Sequence, residues 1–105
     1  MYFITTFTKM EEDRNSFWDF GNQRTPVYYT KLEDARDAVI NNACDMYETI
    51  YEFALIEEIE PNCFYPECTL KELYQVTKGG KYIDIKYEKI DLPDNFPEYF
   101  SIVIG

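Results

Sequence analysis

Carboxylates are the reactive side chains that this sequence supplies in number, with 20 acidic residues against 10 basic ones and no histidine. Two carboxylates that flank the same bond can act as general acid and base. Glu57 and Glu58 are adjacent in a predicted strand, so they point to opposite faces and cannot form such a pair. Glu58 and Glu60 share a face, but a hydrated strand end explains them more simply.

The residues that the sequence lacks narrow the chemistry further. Without histidine there is no Ser-His or Cys-His nucleophile pair, and general acid–base catalysis loses its commonest participant. The four glycines form neither a phosphate loop nor a dinucleotide fingerprint. We therefore expect that the protein is not an enzyme.

Cysteine is the other residue type that could carry chemistry, at Cys44, Cys63 and Cys68. Four residues separate Cys63 from Cys68, but a structural zinc site needs four ligands, and histidine is absent. We expect no metal and no cofactor. The odd cysteine count, the absence of a secretory leader and the absence of a long apolar run predict reduced thiols in a cytoplasmic protein.

The negative charge is concentrated in one part of the chain. Residues 1–32 are neutral, residues 33–60 hold nine acidic residues against Arg36 alone, and residues 61–105 carry a net charge of −2. Nucleic acids and anionic membranes are unfavourable partners, because both bind lysine and arginine. The charge distribution instead favours a basic protein partner.

The acidic segment begins with a predicted amphipathic helix. Apolar residues recur at helical spacing from residue 32 to residue 50, at Leu32, Ala35, Val39, Ala43, Met46 and Ile50. Thr30 and Glu33 have the spacing of a capping box. The alternative is that Asn41-Asn42 ends this helix and a second short helix follows.

The opposite side of this helix carries like charges at neighbouring positions, which costs a few tenths of a kcal/mol per pair. This repulsion indicates that the negative potential of the face serves a function such as partner binding. The alternative is an ordinary hydrated helix face. The predicted partner-binding residues are Glu33, Asp37, Asp45, Glu48 and Glu52, together with Glu57, Glu58 and Glu60.

The remaining segments read mainly as strands, at Tyr2–Thr8, Pro26–Thr30, Phe53–Ile59, Leu73–Lys78, Lys81–Tyr87 and Phe100–Ile104. Pro26 predicts an edge strand or a strand start. Gly79-Gly80 predicts a two-residue hairpin turn that places Val76 opposite Ile83. The pattern indicates one α+β domain over residues 1–105, with an antiparallel sheet of about five strands and one main helix packed on one face.

A short aromatic patch lies between the first two predicted strands, at Phe17, Trp18 and Phe20. Core packing is the simplest interpretation. The patch could also anchor a protein interface or line a ligand pocket.

Two stretches, NNACDMYETIYEFALIEEIEPNCFYP and FSIVIG, resemble a group of short acidic proteins of Firmicutes and their phages. In that group an aromatic residue precedes an apolar Ile-Glu-Glu strand, and a Tyr-Pro loop follows it. The resemblance implies a bacterial or phage setting and, by analogy with acidic phage inhibitors of defence nucleases, an anti-CRISPR-like role. It transfers no catalytic residues.

We therefore expect a non-catalytic binding protein that presents carboxylates to a basic groove of a host nucleic-acid enzyme, with a CRISPR effector nuclease as the concrete candidate. The alternative is a small-ligand-binding or regulatory module that uses an aromatic pocket.

Overall fold

The computed structural model describes residues 1–15, 17–59, 68–78 and 85–97. Within these ranges, helix α1 covers Leu32–Ile40 and a 3₁₀ turn covers Ala43–Asp45. The strands of the same ranges are β1 (Tyr2–Phe7), β2 (Glu11–Glu12), β3 (Trp18–Asp19), β4 (Gln23–Tyr29), β5 (Phe53–Ile59), β6 (Cys68–Lys78) and β7 (Ile85–Ile90). Glu60, the glycines of the predicted hairpin turn and the predicted strand Phe100–Ile104 lie outside the described residues.

Five of these strands form an antiparallel sheet in the order β4-β1-β5-β6-β7, and α1 packs on one face of it. The prediction of an α+β fold with this layout is confirmed. Strand β4 lies at one edge of the five-stranded sheet, where Pro26 needs no ladder partner for its missing N–H. The short pair β2-β3 forms a separate hairpin.

Strand β5 is the centre of the sheet and has the predicted bounds. It pairs with β1 on one side and β6 on the other, and Ala54, Leu55 and Ile56 are fully buried. Ala54 and Ile56 join the core beneath the helix, whereas Leu55 joins a second cluster on the opposite face. Both faces of β5 are therefore covered, as its opening apolar run predicts.

Helix α1 ends at Ile40, so the continuous helix to residue 50 is wrong and the alternative of a break at Asn41-Asn42 is confirmed. The second short helix of that alternative is only the 3₁₀ turn Ala43–Asp45, which contains left-handed backbone at Cys44. Asn42 has a left-handed φ of 49°, and the Asn41 side chain donates to the carbonyl of Asp37 at 2.9 Å. Asparagine tolerates this conformation and competes for backbone groups, which explains the break. Beyond it Ile50 is 46% exposed instead of extending the apolar stripe.

The start of α1 also differs from the prediction. Lys31 is the residue before the first helical turn, and it provides no side-chain cap. The Thr30–Glu33 capping box is therefore wrong. The exposed first turn instead holds Glu33 and Asp34, where the positive end of the helix dipole favours them.

Strands β6 and β7 pair in a register that differs from the predicted one by four residues. Val76 lies opposite Tyr87, and Lys78 lies opposite Ile85, so the predicted pairing of Val76 with Ile83 is wrong. This register buries Tyr87 beneath α1, where its hydroxyl donates to the carbonyl of Tyr51. A shift by an even number keeps each side chain on its face, so the apolar alternation alone could not exclude it.

Gly21 lies in the segment between the β2-β3 hairpin and β4, where its backbone closely approaches Thr8. The amide of Thr8 donates to the carbonyls of Phe20 and Asn22, and the Thr8 hydroxyl accepts from the Asn22 amide at 3.0 Å. Gly21 has a φ of 66°, and a Cβ atom there would lie 2.2 Å from the Thr8 hydroxyl oxygen. Any larger residue must therefore displace Thr8 and break its bond to Asn22.

We expect Gly21→Ala to lower the free energy of unfolding by about 1–3 kcal/mol, because it combines a strained backbone with this contact. Urea denaturation monitored by circular dichroism measures the change. Gly21→Asn is the matched variant, since asparagine tolerates a positive φ but still carries a Cβ. If Gly21→Asn retained wild-type stability, the Thr8 contact would not be the constraint.

Candidate binding surfaces

The outer side of α1 is acidic and exposed. Burial of Ala35, Ala38 and Val39 against the sheet turns Glu33, Asp34 and Asp37 outward. None of these three carboxylates has an ion-pair partner within 4.0 Å among the described residues. The predicted exposure of Glu33 and Asp37 is thus observed, and Asp34 belongs to the same surface.

Arg36 is the only base in residues 33–60, and its hydrogen bonds are directed towards the sheet. Its Nε donates to Oε1 of Glu72 at 2.9 Å, and a second guanidinium nitrogen donates to Oε2 at 2.5 Å. A bidentate pair of this kind is strong and directional. The only base within α1 therefore joins the helix to β6.

Glu72 is the centre of a small polar network beneath α1. It is 5% exposed and also accepts from the hydroxyl of Tyr74 at 3.0 Å, while Lys89 lies 3.7 Å away. The hydrogen bond from Arg36, reinforced by that from Tyr74, lowers the pKa of Glu72 from 4.5 to about 2 despite burial. Burial, together with the bond to Glu72, raises the pKa of Tyr74 to about 12.

The other predicted acids of the helix do not form one row with Glu33 and Asp37, because the helix ends first. Asp45 is exposed in the 3₁₀ turn. Glu48 accepts two hydrogen bonds of 2.9 Å from Arg24 of β4, so its charge is compensated. Glu52 is half-buried and follows the turn.

The acids of β5 separate onto two faces, as their adjacency requires. Glu57 is fully buried, and its carboxylate lies 3.0 Å from the Lys71 ammonium group of β6. It cannot be presented to a partner, which corrects that part of the predicted set. Glu58 is half-buried on the helix-facing side, and Glu60 lies outside the described residues.

Sequence reasoning could have found the burial of Glu57, since the residue alternates with Phe53 and Leu55 along a central strand. The ion pair itself could not be found, because Lys71 lies opposite Glu57 only through the long-range register of β5 with β6.

A cavity of about 330 Å³ separates β4 from the turn that follows α1. Apolar groups of Val27, Tyr29 and Met46 line it, together with Arg24 and Cys44. The wall includes left-handed backbone at Cys44 (φ 54°), Asp45 (φ 52°) and Glu48 (φ 45°). Sequence reasoning missed this site, because a continuous helix leaves no such turn.

The aromatic patch divides between core and surface. Phe20 is 9% exposed and packs edge-on against Phe7, so it is a core residue and not an interface anchor. Trp18 is half-buried and stacks on Phe20 at 5.9 Å. Phe17 is 71% exposed and remains a candidate anchor. Phe17 and Trp18 line a cavity together with carboxylates of the β2-β3 hairpin, so the predicted aromatic pocket is observed for these two residues but does not include Phe20.

Three further observations concern metal binding, membrane-spanning helices and similarity to known proteins. No group of three or more cysteine, aspartate or glutamate side chains is arranged to hold a metal ion within the described ranges. Among the same residues no helix has the length and apolar character needed to cross a membrane. Searches of protein-family models, curated proteins and solved structures found no match to this chain.

We expect Glu72→Gln to lower the free energy of unfolding by about 1–3 kcal/mol at pH 7, because it removes a charge-assisted network. The folded pKa of Glu72 lies below its ordinary value of 4.5, so the carboxylate stabilises the fold above that pH. Its contribution declines as the pH falls from about 4.5 towards 2.

Urea denaturation of wild type and variant between neutral and acid pH measures this effect. The difference in unfolding free energy should be constant above about pH 5 and should narrow as the pH falls. Glu88→Gln, at an exposed position of β7, is the control and should change stability little. A difference that stays constant over the whole pH range would contradict the assigned role of the carboxylate.

Proposed function

We propose that this protein is a non-catalytic inhibitor that presents the carboxylates of α1 to a basic groove on a nucleic-acid-binding defence enzyme of a host cell. The surface consists of Glu33, Asp34 and Asp37, with Asp45 beyond the helix end. The observation that carries this proposal is the commitment of Arg36 to Glu72. It leaves an exposed helix face whose carboxylates have no ion-pair partner within 4.0 Å among the described residues.

Charge and geometry both fit such a partner. Glu33 and Asp37 lie one helical turn apart, about 6 Å along the axis, so a groove of arginines and lysines could meet them in succession. Complementary charge of this kind accelerates association and weakens as salt screens it. The resemblance to acidic proteins of Firmicutes and their phages makes a CRISPR effector nuclease in the bacterial cytoplasm the first candidate.

The direct test is inhibition of a panel of purified bacterial nucleases, beginning with CRISPR effector nucleases. We expect salt-sensitive inhibition of nucleic-acid cleavage by at least one of them. Glu33→Lys combined with Asp37→Lys should weaken it about tenfold or more, because two attractive contacts become repulsive.

The matched control is Glu88→Lys combined with Asp94→Lys, which changes the net charge equally at exposed positions outside α1. Circular dichroism of both double variants verifies folding. Equal loss of inhibition by the two pairs would assign the effect to net charge and not to α1. Inhibition of none of the nucleases would refute the proposed class of partner.

A small-ligand-binding module is the second candidate, and the cavity beside β4 favours it. Its volume of about 330 Å³ falls in the range of ligand sites, and its apolar wall faces a few polar groups. Native mass spectrometry of the purified protein distinguishes the two candidates. A small molecule retained at one per chain, and lost on Val27→Trp, would favour the ligand-binding module.

A further inference from the structure

The β2-β3 hairpin carries a second acidic site, separate from α1. A cavity of about 300 Å³ opens at this hairpin, and its lining combines carboxylates with two aromatic rings. The lining residues are Glu11, Glu12, Asp13, Phe17, Trp18 and Asp19. This combination of an exposed ring, a half-buried ring and several carboxylates occurs nowhere in the α1 surface.

The charge of this site is only partly compensated. Lys9 lies 2.8 Å from Asp19 and 3.8 Å from Glu11, which raises the pKa of Lys9 and lowers that of Asp19. Glu12 and Asp13 have no ion-pair partner within 4.0 Å among the residues that the structure describes. The site therefore retains a negative potential that favours a cation.

The backbone at Phe17 and the ring of Trp18 are held in place before any ligand arrives. The amide of Phe17 donates to Oδ1 of Asp13 at 3.0 Å, and the Asp13 amide donates to the Phe17 carbonyl at 2.9 Å. The indole N–H of Trp18 donates to the carbonyl of Asn95 at 2.9 Å, and its ring stacks on Phe20. A preorganised site loses little conformational entropy on binding.

The Phe17 ring exposes apolar surface to water, which is unfavourable unless a partner covers it. It is 71% exposed, the largest exposed fraction among the large apolar side chains described. Exposed aromatic rings beside polar rims are typical of protein contacts, where the ring becomes buried by the partner. The occupant should therefore bring both a positive charge and a chain segment that covers Phe17.

We propose that the hairpin site binds the guanidinium group of an arginine side chain in a partner protein. A planar guanidinium stacks on aromatic faces and donates several hydrogen bonds to carboxylates at once. A lysine ammonium group is a more strongly hydrated point charge, so it interacts less favourably with a lining of carboxylates and aromatic rings. This assignment does not depend on the α1 surface, and it holds whether or not α1 engages a basic groove.

The test uses short, unstructured glycine-serine peptides with a single central arginine, citrulline or lysine. Citrulline has nearly the same shape as arginine but no charge. Amide chemical shifts measured by NMR follow binding along the chain, and the fluorescence of Trp18 reports on the hairpin directly because it is the only tryptophan.

We expect the arginine peptide to cause saturable shifts concentrated in residues 11–19, with citrulline and lysine peptides binding at least about three- to fivefold more weakly. Phe17→Ala and Glu12→Gln should each weaken the arginine peptide by about threefold. Both positions are exposed, so these variants should fold. Glu88→Gln, at an exposed position of β7, is the matched control and should leave peptide binding unchanged.

Equal binding of the arginine and citrulline peptides would overturn the proposal, because charge would then be irrelevant. Equal binding of the lysine peptide would overturn the assignment to arginine. Shifts spread over the whole acidic surface, or wild-type affinity in both hairpin variants, would show that the hairpin is not the site. These outcomes leave the α1 proposal untouched, since α1 variants are tested separately against nucleases.

Discussion

The bidentate pair between Arg36 and Glu72 is the interaction on which the arrangement of the acidic surface depends. It joins α1 to β6 at a point where the carboxylate is almost fully buried. Removing Arg36 would leave the buried carboxylate of Glu72 without its two charge-assisted hydrogen bonds, which is costly. The same pair directs the only base of residues 33–60 towards the sheet. The stability of the fold and the negative potential of the outer helix face thus have a common origin.

The parts of the fold that were predictable from the sequence are those with strong local patterns. Strand β5 combines an apolar run with β-branched residues, and its bounds match the structure. Pro26 correctly indicated an edge strand, because its missing N–H is tolerated only there or at a strand start. Helical spacing over the first turns of α1 placed Glu33 and Asp37 on the exposed side. Each of these inferences uses neighbours within a few residues along the chain.

The features that were not predictable depend on competition between local hydrogen bonds and helix formation, or on contacts between residues far apart in the sequence. The apolar spacing continues past Asn41-Asn42, yet the local hydrogen bonds of these asparagines end the helix and leave Ile50 exposed. The register of β6 with β7 places Val76 opposite Tyr87, and the alternation of side chains is the same in this register and in the predicted one. The ion pair of Glu57 with Lys71 could not be predicted, because the two residues meet only through the register of β5 with β6.

If the α1 carboxylates occupy a groove that otherwise holds nucleic acid, the protein and the nucleic acid must compete for the same nuclease. Fluorescence anisotropy of a labelled nucleic acid bound to an inhibited nuclease measures this competition directly. We expect added protein to release the nucleic acid, at concentrations that rise with the concentration of the labelled nucleic acid. Glu33→Gln with Asp37→Asn should impair this release. A nuclease that stops cleaving while its nucleic acid stays bound would contradict the proposed occupation of the groove.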